Sequence, residues 1–214
     1  MGEERMKWKQ MTWKQRGQYF MDYYFKITVV VLILLCMVIS FVKTVFFNRM
    51  ETMLSVMVVN DTIDFDSETM GEALCQSMGW TGKKQEVTCI PMSTGSYETD
   101  MALVVRLQAA SVDVMIADEE TFERYMKNGF FDEVEAYIPE GLDLTDSLVR
   151  GCIETLDDTG AVIDRGEELA YGIDLSGSET YRELGGILED PVMGIVVNGE
   201  HHDAGGAVVA YLMK

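Results

Sequence analysis

The stretch SVDVMIADEETFERYMKNG, residues 111–129, decides the fold class of this chain. Its apolar part, Val112 to Ala117, is short and bounded by polar residues, which is typical of a buried strand. Asp118 directly precedes EETFERYMKN and is a favourable helix N-cap, while Gly129 suits the position after the helix. Apolar residues recur at i, i+3 and i+4 from Phe122 and give the helix one apolar face. The stretch therefore predicts one strand–helix unit of an alternating fold.

Two further strand–helix units precede this stretch. MLSVMVVN at 53–60 predicts a buried strand, and a helix is expected from Ser67 to near Gly79. Residues 86–90 predict a second strand, and Ser96 is the expected N-cap of the next helix. The alternation predicts a parallel α/β sheet in a three-layer lobe. Four residues are expected to lie in adjacent buried strands: Val56, Val58, Val114 and Ile116.

The C-terminal part of the chain gives weaker signals. DDTG at 157–160 predicts the turn of a hairpin, and YGIDL at 171–175 predicts a short extended piece. Residues 178–188 predict a helix, 192–197 a strand, and 204–213 a terminal helix.

An apolar run, ITVVVLILLCMVISFVKTVFF at 27–47, lies before the first strand. A helix of this length rises roughly 31 Å, which matches the hydrocarbon core of a bilayer. A cleavable signal peptide is the main alternative, but bulky residues follow the run where a small-residue cleavage site is expected. The run therefore predicts an uncleaved transmembrane signal anchor.

Charge is distributed unequally along the chain. Residues 1–26 carry six basic and three acidic side chains, whereas the chain as a whole has a formal net charge of −19. Basic residues favour the cytoplasmic side, and the aromatic residues among them are typical of a membrane interface. The acidity of the rest argues against nucleic-acid binding. We therefore expect a cytoplasmic flank at 1–26, a membrane span at 27–47 and an extracytoplasmic α/β domain at 50–214, anchored in a bacterial cytoplasmic membrane.

The stretch LVVRLQAASVDVMIADEETFERYMKNGFFDEVEAYIPE at 103–140 resembles the extracellular solute-binding proteins of bacterial ABC importers. AYGIDLSGS at 170–178 and VMGIVVNGEHHDAGGAVVAYL at 192–212 look like that family's return strand and terminal helix. The resemblance implies a periplasmic-binding-protein type of lobe. Family members have two lobes around a cleft, and about 165 outer residues suffice here for one.

A ligand site is expected beyond the carboxyl ends of the strands, as in other open α/β sheets. The STGS loop leads into a helix N-terminus, which can offer N–H groups to an anion, and the acidic residues suit a hydroxylated or cationic ligand. The alternative is that these residues are ordinary caps and turns. The candidate residues are Asn60, Asp61, Ser93, Thr94, Gly95, Ser96 and Asp118.

Motifs for catalysis or metal binding are weak in this sequence. NDTIDFDSE at 60–68 fails the spacing of a calcium loop and is expected to be a solvated turn. His201 and His202 lack the spacing of a zinc site, and the expected role of Asp203 is to cap the last helix. No GxSxG motif is present. We therefore predict no catalytic residue, no metal and no cofactor.

The cysteines leave one question open. Cys36 lies within the apolar run, while Cys75, Cys89 and Cys152 belong to the acidic part. Cys75 and Cys89 either form a disulfide or remain as two thiols near the core.

The leading functional hypothesis is a membrane-anchored domain with a ligand-binding or transport-accessory role. Its predicted partners are membrane lipid through residues 27–47, a small solute, and an envelope or transporter protein. The alternative is an interaction module that binds no ligand and contacts an envelope or membrane partner. An envelope hydrolase ranks third, because no nucleophile–base pair is evident.

Overall fold

A computed structural model describes residues 12–19, 21, 25–44, 51–60, 65–80, 82 and 85–214 of the chain. The chain divides into two compact units, residues 1–49 and residues 50–214.

The first unit contains two helices, α1 (Trp13–Tyr19) and α2 (Phe25–Val42). The described side chains of α2 are exposed on every face, with Leu32 60% and Leu35 56% exposed. Among the described residues, no helix meets both the length and the hydrophobicity needed to cross a membrane. The predicted transmembrane helix at 27–47 is thus unsupported by the described residues and stays a prediction.

The second unit begins with three parallel strands, β1 (Glu51–Val59), β2 (Gln85–Met92) and β3 (Val114–Asp118). β1 lies between β2 and β3, and its second half is buried throughout because neighbouring elements cover both faces. Val56 is paired with Val114 and Val58 with Ile116. All four side chains are buried, which confirms the prediction for this part of the core.

Three helices connect and follow these strands: α3 (Ser67–Ser77), α4 (Tyr97–Gln108) and α5 (Glu119–Lys127). Each begins after a side chain that accepts a hydrogen bond from a backbone N–H in the first turn. These caps are Asp66, Ser96 and Asp118. Because a cap satisfies an N–H group that the helix itself leaves unpaired, it defines where each helix starts.

The C-terminal half adds β4 (Leu148–Gly151), the hairpin strands β5 (Glu154–Leu156) and β6 (Val162–Arg165), and then β7 (Leu169–Asp174) and β8 (Pro191–Ile195). The main sheet has the order β2-β1-β3-β8-β7-β4. β8 is antiparallel to β3 and to β7, so the predicted parallel sheet is in fact mixed. The apolar patterns of β7 and β8 indicate where these strands lie but not their direction, which depends on the topology of the whole sheet, so the prediction wrongly extended the parallel arrangement of β1 to β3 to them.

Two helices, α6 (Glu179–Glu183) and α7 (Gly205–Leu212), complete the unit. The prediction of a helix over 178–188 was too long. The helix ends early because Gly185 adopts a φ of 85°, the left-handed conformation that terminates helices. The predicted strand at 192–197 and terminal helix at 204–213 correspond to β8 and α7. The predicted hairpin at 157–160 joins β5 to β6.

The sheet has a hydrophobic core on each of its faces. One core contains side chains of α3, α6 and α7, and the other contains side chains of α4 and α5. Successive residues of β1 alternate between them, so Val56 contributes to the first and Met57 to the second. The unit is therefore a three-layer α/β fold with a mixed sheet.

Candidate functional site

The carboxyl ends of the three parallel strands bring together side chains from three separate loops. Asn60 directly follows β1, Thr94 lies two residues after β2, and Asp118 is the last residue of β3. Parallel strands end at the same edge of a sheet, so residues far apart in sequence become neighbours there. We call these three residues the strand-end cluster.

Asn60 is the centre of the strand-end cluster. Its Nδ2 donates to Thr94 Oγ1 and to Asp118 Oδ2, at 2.8 Å in both cases. Its Oδ1 accepts from the backbone N–H of Thr94 at 2.8 Å. Its backbone φ is 63°, a left-handed conformation that asparagine adopts more readily than most residues. One side chain thus ties the ends of all three strands together.

Asp118 both caps α5 and accepts from Asn60. Its Oδ1 receives the N–H of Thr121 at 2.9 Å. Partial burial opposes ionisation of this carboxyl, but the hydrogen bonds from Asn60 and Thr121 outweigh it. The pKa of Asp118 therefore lies below its ordinary value, and the side chain is a carboxylate at neutral pH.

The STGS loop uses most of its polar groups internally. The N–H of Gly95 is bonded to Asp100 Oδ1 and that of Ser96 to Thr99 Oγ1, at 3.3 and 3.2 Å. Ser96 and Thr99 form a reciprocal capping box at the start of α4. Ser93 has an exposed side chain at the same edge of the sheet. Any ligand at this edge would therefore meet a rigid rim with an exposed hydroxyl group.

Asp61 lies outside the described residues, as does Asp64 of the acidic segment. Asp66 of the same segment caps α3, and hydrogen bonds from Thr69 lower its pKa. Among the residues that are described, no group of three or more His, Cys, Asp and Glu side chains is arranged to hold a metal ion.

The histidine loop differs from its predicted form. A short 3-10 turn, His202–Ala204, precedes α7, and Ala204 takes the N-cap position. The prediction that Asp203 caps the last helix was wrong, because the turn displaces Asp203 from the cap position and leaves its side chain 96% exposed. His202 lies against Gly199, with its Nδ1 2.8 Å from the Gly199 carbonyl oxygen.

The cysteines are free thiols in the structure, including the pair that the sequence left open. Burial raises the pKa of the Cys89 thiol to about 12, and the neighbouring Cys75 adds to the shift. A thiol with so high a pKa is almost entirely protonated at neutral pH and is a poor nucleophile.

Sequence reasoning missed a second polar feature, at the opposite edge of the sheet. Asp113, just before β3, is 2% exposed, and its carboxylate accepts the backbone N–H groups of Ser55 and His201 at 2.7 and 2.6 Å. The signal was present in the sequence as a lone acid between Val112 and Val114. In a buried apolar run such an acid requires a defined set of donors.

Comparison of the chain with protein-family models, with curated proteins and with solved structures found no match.

Proposed function

We propose that this chain is a membrane-anchored, extracytoplasmic binding domain of the solute-binding-protein type, with a ligand-binding or transport-accessory role and no enzymatic activity. The observation that carries the proposal is the strand-end cluster. Asp118 of this cluster supplies a carboxylate, and the nearby exposed residue Ser93 supplies a hydroxyl group, at the strand ends where open α/β sheets generally bind ligands.

Rigidity of this rim supports a binding role. Asn60 connects three strand ends, so Asp118 keeps a defined position without a ligand. A preorganised site loses less conformational entropy when a ligand binds than a flexible one does.

The resemblance to solute-binding proteins is consistent with the order of the sheet. The segment that resembles the family's return strand, 170–178, forms most of β7, which lies between β8 and β4 in the sheet, and the segment that resembles the terminal helix contains α7. This support concerns the arrangement of elements in one lobe.

Membrane attachment is proposed from the sequence of α2 and of the apolar run that continues it, since no described helix meets the requirements for a membrane span. The 18 residues of α2 are almost entirely apolar in sequence, and the exposure of the described apolar side chains would be unfavourable in water. In the sequence, the apolar run continues from Val42 to Phe47 with Lys43 as its one charge. The basic residues of 1–26 favour a cytoplasmic N-terminus.

A thermal-shift screen of the full-length chain in detergent tests the ligand-binding role. The probes are monosaccharides, short peptides, and inorganic cations and anions. A ligand at 100 times its dissociation constant adds about 2.7 kcal/mol, which is a shift of several degrees for a domain of this size. Because the loss of one hydrogen bond weakens binding about tenfold, we expect any such shift to fall by about half in Ser93→Ala and to persist in the matched control Ser77→Ala, an exposed serine at the end of α3.

A second candidate, an interaction module, is favoured by the outer surface of α4. Tyr97, Met101 and Val105 follow one another at four-residue spacing and are 79%, 45% and 55% exposed. Residues so spaced lie on one face of a helix, so they form an apolar stripe without a partner in this chain's described residues. A silent ligand screen, together with specific photo-crosslinking from position 101 to a protein of the membrane fraction, would favour this second function.

A further inference from the structure

A cleft of about 310 Å³ is lined by residues of β1 and β2, of the segment before β3 and of the loop before α7. Its walls include Thr52, Ser55, Thr88, Asp113, Glu200 and His201. A volume of this size is at the lower end of the range for ligand pockets and suits a small molecule.

One wall residue, Ser55, has a hydroxyl group without a hydrogen-bond partner among the described residues. Ser55 is 6% exposed, and its Oγ is buried with no hydrogen-bond partner among the described residues. A buried hydroxyl without a partner costs about 1–3 kcal/mol, and such groups in folded proteins are nearly always satisfied. Ser55 lines the cleft, but its Oγ has almost no surface accessible to solvent, so a molecule in the cleft becomes its partner when the Ser55 side chain turns toward the cleft.

A fixed carboxylate lies beside this hydroxyl. The backbone N–H of Ser55 donates to Asp113 Oδ2, and that of His201 donates to Oδ1. A carboxylate has about four acceptor sites, so these two bonds orient Asp113 without exhausting it. Gly199 lies so close to Asp113 that a Cβ atom on Gly199 would be only 2.7 Å from Asp113 Oδ1, so the backbone there packs tightly against the carboxylate. The charge is therefore held rigidly.

The chemistry of the walls defines the class of ligand. Asp113 and Glu200 are acidic, and neither Lys nor Arg is present among the described wall residues. The hydroxyl groups of Thr52, Ser55 and Thr88 can each donate and accept. The walls thus offer negative charge for a cation and hydroxyls for a partner that also donates and accepts.

We propose that this cleft is a binding site for a small hydroxylated amine, whose ammonium group pairs with Asp113 and whose hydroxyl group bonds to Ser55 Oγ. The site is separate from the strand-end cluster, because none of Asn60, Thr94 and Asp118 lines the cleft. Its presence does not depend on the function proposed above.

Isothermal titration calorimetry of the full-length chain with ethanolamine tests the proposal. The buffer contains about 150 mM NaCl, which screens non-specific attraction of cations to so acidic a protein. We expect a dissociation constant of about 1 mM, which is within the ceiling for so small a ligand. Ethylamine lacks the hydroxyl and ethylene glycol lacks the charge, and each should bind at least about tenfold more weakly.

The matched variants are Ser55→Ala and Ser77→Ala. Ser55→Ala removes the unpaired hydroxyl with little change in volume, so the fold is expected to survive, and circular dichroism checks this. It should weaken ethanolamine about tenfold, the loss of one hydrogen bond, whereas Ser77→Ala should bind as the parent does. Unchanged binding in Ser55→Ala, equal binding of ethylamine, or a crystal soaked in ethanolamine that holds a single water at Ser55 Oγ would each overturn the proposal.

Discussion

Replacement of Asn60 tests whether one side chain holds the three strand ends together. Asn60→Gly removes its hydrogen bonds to Thr94 and Asp118 but tolerates the φ of 63°, whereas Asn60→Ala also introduces strain. Three partly exposed hydrogen bonds of about 0.5–1 kcal/mol each give a loss of about 2 kcal/mol for the glycine variant. The left-handed conformation adds about 1 kcal/mol, so the alanine variant should lose about 3 kcal/mol.

The assay is urea unfolding followed by circular dichroism, with Asn128→Ala as the control. Asn128 is also an asparagine, but it lies at the end of α5, where its side chain contacts a single backbone carbonyl. Losses below about 0.5 kcal/mol for both Asn60 variants would show that the cluster does not stabilise the domain. Equal losses for glycine and alanine would contradict the left-handed backbone at this position.

Three further predictions concern pH, packing and topology. The pKa of Asp118 is lowered in the folded state, so ionised Asp118 contributes to folding stability above its unfolded pKa of about 3.9. This contribution is lost as the pH falls through the lower folded pKa. In acid titrations, Asn60→Gly should therefore show a shallower fall in stability below about pH 4 than the parent chain. Ile116 is fully buried in β3, so Ile116→Ala should lower the free energy of unfolding in urea by about 2–5 kcal/mol. A loss under about 0.5 kcal/mol would contradict this burial. A reporter fused after Lys214 should be active outside the cytoplasm. The membrane-bound chain should have the mass of the unprocessed sequence, whereas a shorter, soluble product would indicate a cleaved signal peptide.

The first half of the α/β unit is predictable because its signals are local. Asp66, Ser96 and Asp118 each combine a capping side chain with a following apolar periodicity, so the helix starts can be located from a few neighbouring residues. The strand-end residues follow from the same logic, because parallel strands end at one edge. The hydrogen bonds among Asn60, Thr94 and Asp118 cannot be predicted in this way, because they depend on interatomic distances.

The second half is harder because its signals are non-local. Nothing in PVMGI at 191–195 indicates that β8 pairs with β3 on one side and β7 on the other, since strand partners depend on the whole topology. β4 is only four residues long, too short for a clear alternation. The unpaired hydroxyl of Ser55 also escapes sequence reasoning, because a serine in an apolar strand does not reveal whether a donor faces it.

The position of β8 has a consequence for biogenesis. Synthesis proceeds from the N-terminus, so β3 emerges long before residues 191–195, which occupy its second edge. Until those residues arrive, β3 presents an open row of backbone donors and acceptors that can pair with another chain. The six-stranded sheet thus becomes continuous only after residues 191–195 have left the ribosome, or a translocation channel if the chain is exported. A chain that ends before Pro191 would leave one side of β3 unpaired, and slow synthesis of residues 119–190 would prolong the period in which that side can pair with another chain.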